Sequence, residues 1–294
     1  SLTEENTSYK GVSTGLDHLV ELGVTHVQLM PIYDFFTVDE NPDLDYEDDN
    51  YNWGYDPELY NNVEGSYSTD PYNPKARIYE LKKMIMKLHE KGISVVMDVV
   101  YNHTYKTFDS NFEAISPSYY YRQFPNSYCN GSGCGNDFAS ERPMVRKFIL
   151  ESLLYWQNEF KIDGFRFDLM ALIDLDTINI IIKELRKNNP NTIIYGEPWM
   201  ALDTNLSIDQ RIYFGSQVNR GFGLFNAEFR DGIKGDNDGY INGFVQGDFS
   251  KKNSVERGIV ANVKYDDIRG GILENASESI NYFNSHDNLI LNDK

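Results

Sequence analysis

Four stretches of the chain run an apolar segment directly into a cluster of polar residues. They are Ser94–His103 (SVVMDVVYNH), Asp163–Asp168 (DGFRFD), Thr192–Glu197 (TIIYGE) and Ile280–Asn288 (INYFNSHDN). A strand buried on both faces of a parallel sheet reads as a continuous apolar run. In a (β/α)8 barrel, the residues at the C-terminal ends of such strands build the active site. Asp, Arg, Glu, His and Asp delivered to one face therefore describe a catalytic floor.

Between these strands the pattern changes to helical spacing. Gly15–Leu22 predicts a short helix closed by Gly23, followed by an apolar strand over Thr25–Ile32. Lys75–Lys91 places Ile78, Leu81, Ile85 and Leu88 on one face, with Pro74 opening the helix and Gly92 at its C-terminal cap. Arg142–Phe160 predicts a longer helix with Ser140 as N-cap, and Asp174–Asn188 another ended by Pro190. Phe222–Phe229 reads as a strand in a Gly- and Asn-rich region.

The alternation implies βα units around a parallel sheet, an incomplete (β/α)8 TIM barrel spanning 1–294. About seven strands are expected by Ile280–Phe283, with the eighth strand absent. Segment 104–141 reads as a short insertion after the third strand. Such an open barrel leaves strand edges unpaired and is expected to be unstable or inactive alone.

Composition narrows the classes. The 294 residues suit one α/β domain, and 40% hydrophobic residues supply a core. A net charge of -18 argues against a nucleic-acid partner. The 21 Tyr and 17 Phe divide between core and rings suited to the apolar faces of sugars. The sequence has no run of about 18 apolar residues to span a membrane and no charged-then-apolar leader at its N-terminus. Cys129 and Cys134 lie close enough for a small-loop disulfide, with two free thiols the equal alternative.

Strand parity sharpens the chemistry. Arg166 and Asp168 are two apart and share a side, so the guanidinium holds the carboxylate ionised. Glu197, near other carboxylates, keeps its proton to higher pH. A proton-holding acid beside an ionised nucleophile is a glycosidase pair, with Asp287 as a third carboxylate to hold hydroxyls and stabilise a transition state. Helix capping is the competing use for Asp168, which a helix soon follows. The acidic run Asp43–Asp49 reads first as a solvated loop, with structural calcium the alternative.

These residues carry a resemblance to the α-amylase superfamily, glycoside hydrolase family 13. Its four conserved regions look like DVVYNH (98–103), GFRFDLMAL (164–172), YGEPW (195–199) and NSHDN (284–288), in the family's order. YNWGYDP (51–57), EGSYSTDP (64–71), NGSGCGND (130–137), ERPMVRKF (141–148) and FRDGIKG (229–235) look like segments of its type I pullulanase branch.

The resemblance implies Asp168 as nucleophile, Glu197 as acid/base and Asp287 as transition-state stabiliser. It implies substrate contacts from Tyr55, His103, Arg166, His286, Trp199 and Asn288; for Tyr51 and Trp53, simple bracing of the loop is the plain alternative. The implied reaction is retaining hydrolysis of α-1,6 branch linkages in pullulan, amylopectin, glycogen or limit dextrins. No cofactor is implied beyond optional structural calcium. Further β domains are implied outside the barrel, and the compartment and oligomeric state stay open. Pro198 stands where many pullulanases have glycine, a change expected to touch the acceptor side more than the acid.

Competing readings are an isoamylase or α-1,4-acting amylase, a metal-dependent barrel hydrolase using Asp98, His103, His286 and Asp287, and a non-catalytic glucan-binding relative. The YNWGYDP segment and the intact Asp168, Glu197 and Asp287 favour the debranching reading.

Overall fold

The apolar runs form the strands of one parallel sheet in a computed structural model that describes residues 7–41, 50–267 and 270–294. Its strands are β1 (His26–Leu29), β2 (Ser94–Val99), β3 (Gly164–Phe167), β4 (Ile193–Gly196), β5 (Gly223–Phe225) and β6 (Ser279–Ile280). They lie side by side in chain order, every pair parallel. Among the described residues the sheet thus has six strands, one fewer than the seven counted from sequence.

Register sets which side chains become neighbours. Asp98 on β2 lies opposite Arg166 on β3, which in turn lies opposite Tyr195 on β4. The residues before these ends, Val95 to Val99 and Phe165 to Phe167, are buried, as a two-sided sheet requires.

Helices α1 (Gly15–Leu22), α2 (Pro74–Glu90), α3 (Pro143–Phe160), α4 (Leu175–Asn188) and α5 (Ala227–Lys234) come where helical spacing does, α5 excepted. Gly23 and Gly92 take the left-handed conformation that ends α1 and α2, with φ of 70° and 73°. Helix α3 buries Val145, Ile149, Leu153, Trp156 and Phe160. The Trp156 indole donates to the Tyr60 carbonyl at 2.9 Å, fixing α3 to the strand Pro57–Val63.

Three expectations change. Ser140 does not cap α3; its hydroxyl instead accepts from Arg122 and from the Asp174 backbone. The expected strand Phe222–Phe229 stops at Phe225, because Asn226 accepts from the Phe229 N–H at 3.1 Å and starts α5. The strand expected over Ile280–Phe283 is confined to Ser279–Ile280.

Segment 104–141 is tied to the core rather than draped over it. It contains the helical turn Asn111–Ile115 and a hairpin of Gln123–Phe124 with Ser127–Tyr128. Phe138 is fully buried, and its N–H donates to the Asn102 carbonyl at 2.8 Å. Cys129 and Cys134 are both free thiols. Among the described residues no helix is long and apolar enough to cross a membrane.

Candidate active site

The site is built on the ends of β2, β3 and β4, where one guanidinium gathers three carboxylates. Arg166 Nη1 donates to Asp98 at 2.9 Å and to Asp168 at 3.1 Å, while Nη2 donates to Glu197 at 2.5 Å. Arg166 and Asp98 are buried, Glu197 nearly so, and the Asp168 carboxylate is partly open. A buried cation with this many anionic partners keeps its charge, and the neighbouring carboxylates hold the Arg166 pKa well above its ordinary value.

The two acids most deeply enclosed are shifted together. Burial pushes Glu197 up to about 7, against the pull of Arg166, and nearby Asp168 raises it further. Burial likewise pushes Asp98 up to about 7. Glu197 also accepts from the Leu169 N–H at 2.8 Å, and Leu169 reaches that position with a left-handed backbone, φ 38° and ψ 52°. Gly196 allows the approach: a Cβ there would lie 2.6 Å from the Phe167 carbonyl oxygen and 2.7 Å from Met170.

Asp168 is not the cap of the next helix. Asp174 does that, accepting from the Thr177 N–H at 2.9 Å. The Asp168 carboxylate instead accepts from the Asn102 side chain at 2.8 Å, and Asn102 also donates to the Asp168 carbonyl at 2.9 Å. Asn102 has no role from sequence, although it lies in the DVVYNH segment.

His103 is held between Asn102 and the Tyr55 segment. It is 2% exposed, with Nδ1 at 2.5 Å from the Asn102 side-chain oxygen and Nε2 at 3.0 Å from the Tyr55 carbonyl. Both ring nitrogens face acceptors, so this geometry has no donor left over for a hydroxyl. Those bonds favour the imidazolium, whereas burial pushes its pKa below the ordinary histidine value. His103 therefore braces Asn102 and the Tyr55 segment.

Tyr55 links the two halves of the site. Its hydroxyl donates to Asp98 at 2.7 Å and lies 2.8 Å from His286 Nε2, which is then the donor of that second bond. The Tyr55 and His286 rings stack with centroids 5.5 Å apart, and Trp53 packs edge-on against His286 at 5.6 Å. Burial lowers the His286 pKa, and Arg166 lowers it further.

A cavity of about 550 Å³ opens beside this cluster. Of the residues expected from sequence, Arg166, Glu197, Trp199, His286, Asp287 and Asn288 line it, whereas Asp168, Tyr55 and His103 are set outside its lining. Asp287 and Asn288 are exposed on their loop. Gln28, Phe225, Arg230 and Tyr282, among others, also line it and carry no role from sequence. Arg230 falls within FRDGIKG (229–235), and Phe225 ends β5 ahead of it.

A metal centre from Asp98, His103, His286 and Asp287 does not assemble. Both Asp98 oxygens are engaged by Arg166 and Tyr55, and the described residues contain no group of three or more His, Cys, Asp or Glu placed to hold a metal ion. The acidic run Asp43–Asp49 lies outside the described residues.

Comparison with known proteins gives a consistent pattern. Residues 2–131 match the family described as "Alpha amylase, catalytic domain". The chain is 41% identical, over its full length, to a pullulanase of Bacillus subtilis, of which it spans 41%. Among solved structures it resembles a Paenibacillus barengoltzii pullulanase in complex with maltohexaose and α-cyclodextrin, at 44% identity and a TM-score of 0.92, covering 99% of this chain and 45% of that one. It also resembles the type I pullulanase of Bacillus subtilis bound to maltose, at 41% identity and a TM-score of 0.92, covering 99% and 40% respectively.

Proposed function

Because the chain belongs to the α-amylase family, with pullulanases matching it end to end, we propose that it carries the catalytic centre of a retaining glycoside hydrolase. Its substrate is an α-glucan, and the bond cleaved is the α-1,6 branch linkage of pullulan, amylopectin, glycogen or limit dextrins. The relatives bound to maltohexaose, cyclodextrin and maltose support the glucan class.

One observation carries the reading: a single guanidinium bonds both Asp168 and Glu197 while Glu197 is pushed to about 7. Two carboxyls bonded to adjacent nitrogens of one group are set close, as retention requires. Asp168 attacks the anomeric carbon as the bond to the branch oxygen breaks, and Glu197 gives that oxygen its proton. Glu197 then takes a proton from water, whose oxygen displaces Asp168. Asp287, on the cavity wall, stabilises the oxocarbenium-like transition state and holds hydroxyls. Tyr55 and His286 form a platform, with Trp199 and Asn288 on the cavity wall.

The test is hydrolysis of pullulan against amylose by the full chain, with product anomers followed by NMR. Maltotriose released from pullulan as the α-anomer supports the reading. Amylose cleaved in preference to pullulan makes it an α-1,4-acting enzyme, and β-anomer product removes the retaining mechanism.

A further inference from the structure

A second cavity, of about 520 Å³, is lined from both α2 and α3 and shares no lining residue with the active-site cavity. Its volume is that of a ligand pocket. It is framed by the antiparallel pair Tyr33–Phe35 and Pro57–Val63, the first turn of α2, and Tyr155 on α3. Tyr33 and Phe35 are buried in the core, so strand alternation turns Asp34 the other way, toward this cavity.

The polar groups of the lining are held but not satisfied. Among the described residues no hydrogen bond reaches the Asp34 carboxylate, which burial pushes up to about 7, with Glu64, Glu40 and Glu58 raising it further. The Asn61 side-chain oxygen accepts from the Ser152 hydroxyl at 2.6 Å, which orients the amide and leaves its N–H donors for a ligand. Arg77 is spent on the frame. Its Nε donates to the Pro71 carbonyl at 2.7 Å, and Nη1 donates to Glu40 at 2.7 Å and to the Val63 carbonyl at 3.2 Å.

Two rings stand over this floor. Tyr72 follows the clamped Pro71 and precedes Asn73, which caps α2, yet its side chain is 74% exposed. Tyr155 is fixed edge-on against Trp156 at 5.5 Å and Phe160 at 5.7 Å. A carboxylate short of donors, an oriented amide and two phenol rings match a neutral sugar, whose hydroxyls donate and accept while its C–H faces cover rings. An anion would face Asp34 and a chain charge of -18. A metal ion finds no set of three ligating groups among the described residues.

We propose that this cavity is a second glucan-binding site, which holds a distant part of the polymer whose branch is cut at Glu197. The choice of sugar rests on the proposed function. Two points of attachment on one chain raise the avidity for a long polymer and add nothing for a short oligosaccharide.

The experiment follows the full chain through native gels containing pullulan, alongside turnover of pullulan and of α-maltotriosyl fluoride, which has no distant chain to hold. Tyr72→Ala is expected to weaken retention in the gel about five- to tenfold and to raise KM for pullulan, with kcat/KM on the fluoride within about twofold of the parent. Asp34→Asn keeps one acceptor oxygen and should weaken retention by less. Tyr72→Trp should restore it. Thermal melting confirms folding of each variant.

Retention that is absent in the parent, or unchanged in Tyr72→Ala and Asp34→Asn, overturns the second site while hydrolysis leaves the proposed function standing. Equal losses on the gel, pullulan and the fluoride make these residues structural supports and overturn it too. A parent chain that neither slows in pullulan nor hydrolyses the fluoride overturns the α-glucan reading first, and this inference with it.

Discussion

The two halves of the site are held in place by different means. Asp98, Asp168 and Glu197 sit at the ends of adjacent strands, and Arg166 bonds all three from inside the sheet. Asp287 stands on an exposed loop after the two-residue strand β6, and the structure anchors that loop by few contacts. His286 reaches Tyr55, and Lys234 donates to the Leu289 carbonyl at 2.6 Å. One half is preorganised by the core, which is what electrostatic stabilisation of a charged transition state needs. The other half can adjust to a ligand at modest cost in contacts.

Replacing the reacting carboxyls should give the largest effect. Asp168→Asn or Glu197→Gln is expected to lower kcat/KM by roughly 10³–10⁴-fold while circular dichroism stays native. Activity within tenfold of the parent would remove the assignment. Arg166→Met strands three carboxylates with no cation and should destabilise the fold by about 3–5 kcal/mol in denaturant titration.

Asp287→Asn separates the halves most directly. It should reduce kcat/KM by about 10²-fold, yet change unfolding free energy by only about 0.5 kcal/mol, as an exposed side chain does. A large stability loss would show that the loop is as deeply integrated as the Arg166 cluster.

The pH dependence tests the enclosed half alone. Glu197 must be protonated to act, so kcat/KM should fall as pH rises through about 7, about tenfold per unit beyond it. Stability moves the same way. A carboxyl that binds its proton more tightly when folded loses that contribution between the ordinary carboxyl range and about 7. A rate profile flat to pH 9 would contradict the acid assignment. The smallest expected effect belongs to the loop anchor: Lys234→Met should raise KM roughly two- to fivefold with kcat little changed.

The enclosed half was also the more legible in sequence. Its carboxylates follow apolar runs, so strand position pointed to Asp168 and Glu197, and parity paired Arg166 with Asp168, without tertiary information, whereas the role of Asp98 as a partner of Arg166 was not read. His103 lies in the same motif, but its ring direction depends on the Tyr55 carbonyl, 48 residues away in sequence. Arg230 was invisible for a related reason. Its helix α5 begins at an Asn cap inside a segment that reads as a strand, and contacts with Asp231, Trp199 and Tyr282 hold it against the cavity. The missing strand in the count reflects how little of the sequence after Glu197 has either period clearly.

The backbone at Leu169 makes durability and turnover rivals at a single residue. A leucine in the left-handed region is strained by about 1–2 kcal/mol, and here the strain aims an N–H at the acid. Glycine would relax that turn and also let it wander. A lineage or a laboratory selecting this chain for heat tolerance would thus be drawn to position 169, and each step gained there would blunt the proton donor it supports.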